Sequence, residues 1–100
     1  MPSMSISMPH SLSAEEATQR LKSFFEKLKA LHGDKLSNLE EQWTGNRLDY
    51  SFSTYGFNIK GDLAVEPNEV KVNGALPFAA MMFKGKIEQT IREELEKVLA

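Results

Sequence analysis

The 100 residues, 41% hydrophobic and 26% charged, have the composition of one soluble globular domain spanning residues 1–100, which excludes disorder. A chain of this length buries about two-thirds of its extended surface, enough for one core between two layers. Twelve basic residues against fourteen acidic give a formal charge of -2 with no run of like charge, so the whole-chain balance offers no footprint for nucleic acid or anionic lipid, and the absence of cysteine excludes disulfides, a thiolate nucleophile and the usual structural zinc site.

Met4, Ile6 and Met8 alternate with serines and predict a short strand ended by Pro9. Ser13 and Glu16 then have the spacing of a capping box, in which the Ser13 hydroxyl accepts from the Glu16 amide and the Glu16 carboxylate reaches back to the Ser13 amide. Ala17, Leu21, Phe24, Phe25, Leu28 and Leu31 follow as one apolar stripe, predicting a helix from about residue 13 to 32 with Gly33 as a left-handed C-cap. Leu39, Glu41 and Trp43 share one face of a strand that turns at Gly45-Asn46, both residue types tolerating positive φ. Leu48, Tyr50 and Phe52 alternate with Asp49, Ser51 and Ser53 up to Tyr55-Gly56. Phe57, Ile59, Gly61, Leu63 and Val65 form a further strand. After the turn Glu66-Pro67-Asn68-Glu69, a last one carries Val70, Val72, Gly74 and Leu76. The opposite face of this meander is polar: Asp49, Ser51, Ser53, Asn58, Lys60, Asp62, Lys71 and Asn73.

Pro77 suits the first turn of a second helix running to the C-terminus. Its main stripe is Ala80, Phe83, Ile87, Ile91, Leu95 and Val98, with Glu88, Glu93, Glu94 and Lys97 outside. The order β-α-β-β-β-β-α predicts an α+β two-layer sandwich, an antiparallel sheet with two helices on one face. No stretch approaches the roughly 18 apolar residues of a membrane span, and the first residues lack the pattern of a secretory leader.

Candidate chemistry is sparse. His10 and His32 flank the first helix, roughly 30 Å apart if it is intact, too far to share a metal; His10 reads as a local cap and His32 as a partner of the helix C-terminus. Adjacent carboxylates Glu15-Glu16, Glu40-Glu41 and Glu93-Glu94 diverge. There is no Gly-x-Ser-x-Gly elbow, and Lys84-Gly85-Lys86 lacks the remaining glycines of a phosphate loop. No catalytic residue, metal site or cofactor is expected, and the chain reads as a non-enzyme.

Two irregularities stand out. Phe78, Met81, Met82 and Gly85 form a second apolar stripe on the last helix, either covered by the N-terminal strand or the preceding loop, or exposed as a contact surface. Gly61 and Gly74 sit at inward positions of adjacent strands. They mark bulges or bends, or else leave a small cavity bounded by Trp43, Tyr50, Phe52, Ile59 and Phe83 that admits an apolar ligand.

Pro9-His10-Ser11-Leu12-Ser13 leading into Glu15-Glu16-Ala17, the Trp43-x-Gly45-Asn46-x-Leu48 hairpin, and Lys84-Gly85-Lys86-Ile87-Glu88 with its amphipathic tail resemble, in order and spacing, the polyhydroxyalkanoic acid system family of small bacterial proteins. The resemblance covers almost the whole chain. It implies a cytoplasmic protein linked to storage-polyester granules, without an established enzymatic activity, and carries over no catalytic residue. The chain departs from the family pattern between Asp34 and Gln42, which is longer and more polar. The element order also looks like a shortened helix-grip protein of the kind that binds lipids, an analogy of fold only. Three functions follow as expectations. One is an accessory bound to polyhydroxyalkanoate granules, or to a granule protein, through Phe78, Met81 and Met82. The others are a small carrier of a lipid-like or acyl ligand between sheet and C-terminal helix, and a structural homodimer.

Overall fold

Strict alternation of apolar and polar residues gives a sheet with one wet face and one dry face, and both helices pack on the dry one. The computed structural model describes residues 3–35, 37–54 and 56–100, the side chains of His32, Lys35 and Thr54 aside. The elements are β1 (Ser3–Pro9), α1 (Ala14–His32), β2 (Ser37–Thr44), β3 (Arg47–Thr54), β4 (Phe57–Val65), β5 (Glu69–Ala75) and α2 (Lys84–Leu99), with short 3₁₀ segments at Gly33–Lys35 and Phe78–Phe83. The five strands form one antiparallel sheet in the order β1-β5-β4-β3-β2, so the α+β two-layer sandwich is the observed architecture. β1 is an edge strand paired along its length with β5.

The core is built of cross-strand rows. Ile6, Val72, Leu63, Leu48 and Trp43 stand opposite one another through all five strands, four of them buried and Trp43 half-buried. Ala17 and Leu21 of α1 and Leu95 and Leu99 of α2 close over this face. Burying a side chain of this size contributes about 1.5–3 kcal/mol, so the row and its lids outweigh any single surface contact. α2 packs along β1 and against α1, and Arg92 donates to the Ser7 carbonyl at 3.3 Å across the open edge of β1. On the wet face, Ser5 donates to Asn73 at 2.9 Å, Asn73 to Asp62 at 3.0 Å, and Arg47 to Asp62 at 2.8 Å.

Several expectations are corrected locally. Ser13 caps α1 by accepting from the Glu16 amide at 3.1 Å, but the Glu16 carboxylate pairs with Arg20, 3.2 Å away and one turn on, so only half of the capping box forms. Gly33 has φ -59 and ψ -27: the helix tightens into a 3₁₀ turn instead of ending left-handed, and a side chain at this position would touch nothing. Leu31, the last residue of the predicted stripe, is exposed. At the β2–β3 turn Gly45 alone takes positive φ, +62, while the Asn46 side-chain amide donates to the Val65 carbonyl. Tyr55 lies outside the described residues; Gly56 beside it has φ +79.

The predicted second helix divides. Pro77 is extended (φ -58, ψ 147) and precedes the 3₁₀ segment as its cap. The Ala80 amide bonds the Pro77 carbonyl at 2.9 Å, and α2 starts only at Lys84. At three residues per turn the 3.6-residue stripe slips out of phase. Ala80 is the one buried residue of this segment, and Phe83 faces outward.

Gly61 and Gly74 mark no bulge. They are directly paired, between Tyr50 on β3 and Met4 on β1. The bulge lies instead in the polar connection: three steps along β2, from Ser37 to Glu40, answer two along β3, from Ser53 to Ser51, and Asn38 takes φ 54 there. At the glycine pair the chains approach closely. A Cβ on Gly61 would collide with the Asn73 carbonyl and lie 2.6 Å from the Tyr50 hydroxyl and 2.9 Å from the Gly74 Cα, whereas one on Gly74 would meet only Met4 Cε at 3.3 Å and the Tyr50 hydroxyl at 3.4 Å.

His10 clamps the β1–α1 link to the β4–β5 turn. Its amide donates to the Asn68 carbonyl at 3.0 Å. Its Nδ1 accepts from the Leu12 amide at 3.1 Å, which leaves Nε2 as the donor to the Glu66 carbonyl at 2.8 Å. The His32 side chain lies outside the described residues.

Gly61→Ala is expected to lower unfolding free energy by about 1–3 kcal/mol in urea melts, because backbone must move. Tyr50→Ala will not rescue it, and Gly74→Ala will cost less. His10→Ala removes two side-chain hydrogen bonds and is expected to lose about 1–3 kcal/mol; ¹⁵N chemical shifts of the wild-type ring should place its proton on Nε2.

Candidate functional site

From Leu76 to Phe83 the chain carries no polar side chain. A surface helix built from such a run can hide only one stripe, and this one hides less because it is 3₁₀. Phe78 is 83% exposed, Met82 82%, Phe83 58% and Met81 37%. β1 is committed to the sheet edge and does not cover them, and Leu76, in the preceding link, is itself buried in the core. Gly85 follows on the first turn of α2, exposed, with nothing near the position of a Cβ. Phe78, Met81, Met82 and Gly85 are therefore all exposed along one short stretch of chain. Phe83, assigned by its spacing to the ligand-lining set, belongs with them. The signal for this was the unbroken apolar run after a proline, which exceeds what one helix face can bury.

The other predicted set is only partly gathered. Trp43, Tyr50, Phe52 and Ile59 are half-buried on the dry face of the sheet, with Phe52 and Ile59 directly opposite each other. Tyr50 and Phe52 stack with ring centres 6.3 Å apart, and Trp43 packs on Phe25 of α1 at 6.4 Å. Lys22 stands 5.4 Å above the Trp43 ring, and Lys29 joins α1 to β2 through Glu41 at 2.6 Å. Hydrogen bonds that the Lys29 ammonium donates to Glu26 and Glu41 raise its pKa above the usual lysine value. The space vacated by the two glycines is taken up by the Tyr50 hydroxyl, which donates to the Asn73 carbonyl at 3.2 Å, and by the Met4 methyl. Of the open depressions on the surface, one lies between the helices around Arg20 and Phe24 and another around Glu41, Asp49, Tyr50 and Lys60; of the predicted lining set, Tyr50 borders the second, and Trp43, Phe52, Ile59 and Phe83 border neither.

Among the described residues, no three His, Asp or Glu side chains converge as metal ligands, and no helix is long and apolar enough to cross a membrane. What the fold and the site define is a small α+β sandwich with one uncovered apolar segment. Residues 4–99 match the family described as "Putative polyhydroxyalkanoic acid system protein (PHA_gran_rgn)", and the chain belongs to that family. No curated protein matches it. Among solved structures it is similar to TTHA0849 from Thermus thermophilus, at 12% identity with a TM-score of 0.39, over 98% of this chain and 92% of that one.

Burial, and secondarily the negative charge of Asp62, push the Tyr50 phenol above its ordinary value of 10.0. A folded-state value raised above the unfolded one means that the native state holds the proton more tightly. The stability this contributes is present below about pH 10 and is lost as pH rises through the raised value. Unfolding free energy measured from about pH 9 to roughly a unit past the ordinary tyrosine value should therefore fall more steeply for wild type than for Tyr50→Phe.

Proposed function

We propose that this chain is a non-enzymatic accessory of polyhydroxyalkanoate storage granules in the bacterial cytoplasm, acting by apolar contact through Phe78, Met81, Met82 and Phe83. The observation that carries this reading is the exposure of four large apolar side chains on one short segment, together with a family named for the polyhydroxyalkanoic acid system. The largest apolar patch on a monomeric protein is often functional. A polyester surface supplies a partner. It presents a broad apolar plane without specific hydrogen-bonding demands, and an exposed apolar segment suits it better than a concave pocket.

Purified granules or amorphous polyester beads are expected to retain the wild-type protein and to lose Phe78→Ser, Met82→Ser by at least tenfold, since each side chain forgoes about 1.5 kcal/mol or more of burial. Both substitutions are at exposed positions, so thermal melts should match. Equal retention of the two proteins overturns the assignment of this surface.

A further inference from the structure

The apolar segment runs directly into Lys84 and Lys86, on the first turn of α2. That turn contains no acidic residue, whereas α1 begins in the ordinary way with Glu15 and Glu16. Cations at the start of a helix oppose its dipole, so the arrangement gives no local stability in the free protein. Lys84 has one weak partner, Glu88 at 3.9 Å; both lysines follow the apolar segment directly in the chain, and the chain's overall charge of -2 averages this local excess away. An apolar insertion flanked by lysines is the combination that anionic lipid interfaces bind, the side chains entering the acyl boundary and the ammonium groups resting among headgroups. The alternative occupant, a second copy of the chain, is poorly served. The four side chains leave on the order of 500 Å² in water, taking roughly 200 Å² for each when fully exposed, and a stable dimer needs about 800 Å² per partner.

We infer that the 3₁₀ segment and its two lysines form a docking wedge for an anionic phospholipid surface. Phe78, Met81, Met82 and Phe83 insert, and Lys84 and Lys86 select negative headgroups. This rests on the same exposed segment as the granule reading and goes beyond it, adding a negatively charged lipid surface to the polyester one.

The test is flotation of the full chain with phosphatidylglycerol or phosphatidylcholine vesicles, beside bare polyester beads. Wild type should partition onto phosphatidylglycerol, and lose most of this at about 0.5 M sodium chloride, where screening shortens to a few ångströms. Lys84→Gln, Lys86→Gln should weaken partition about thirtyfold, roughly fivefold per lysine, while keeping bead retention. Phe78→Ser, Met82→Ser should lose both. Retention on beads with no vesicle binding overturns the lipid inference and leaves the granule reading standing; vesicle binding without bead retention does the reverse. Equal binding to the two lipids, an unaltered lysine variant, or a dimer by sedimentation at micromolar concentration that Phe78→Ser, Met82→Ser dissolves also overturns it.

Discussion

A one-sided sheet has to be covered by something, and in a chain this short the cover is two helices. Their reach limits everything else. α1 closes over the middle of the sheet and α2 lies along β1, so the rows that run through β1, β5 and β4 are sealed. Leu76 still belongs to that core, but from Pro77 onward the chain must leave the sheet, turn and return as α2. The turn is made by a 3₁₀ segment in which one residue, Ala80, is buried. Two large side chains that are almost fully exposed forgo about 1.5–3 kcal/mol each, an amount that matters against a total stability of about 5–15 kcal/mol. The uncovered segment is therefore a consequence of how the lids are placed.

The opposite part of the molecule is held differently. Around β2 and β3 there are few aliphatic residues, and α1 is joined to the sheet by aromatic contacts and by the Lys29–Glu41 pair. Between the two parts lies the glycine pair, on β4 and β5. Without side chains at Gly61 and Gly74, β4 and β5 leave a groove in the inner face, and the Tyr50 side chain reaches across it to the backbone of Asn73. A site that looks like missing core in the sequence is thus filled from the neighbouring strand.

Much of the architecture was legible in the residues. Alternation at Met4-Ile6-Met8, Leu48-Tyr50-Phe52 and Val70-Val72-Gly74 placed the strands and their inner faces, because side chains on a strand have only two directions to choose from. Ser13 located the start of α1 by a local hydrogen bond. Phe83 was misplaced because a 3.6-residue period was carried through a segment that does not obey it. Gly33 and the Gly61–Gly74 pair were misread because glycine permits several conformations, and only its neighbours decide among them.

By itself, then, the order of residues determined the elements, the polarity of each sheet face and the pair of amphipathic helices, since these depend on period and on contacts a few residues apart. Where β1 would pair, which inward gap a tyrosine would fill, and which of the apolar residues between Leu76 and Phe83 would be left in water were decided by the assembled structure. Those outcomes depend on the finite area two helices can cover and on distances between strands far apart in the chain, and neither quantity is written in any local pattern.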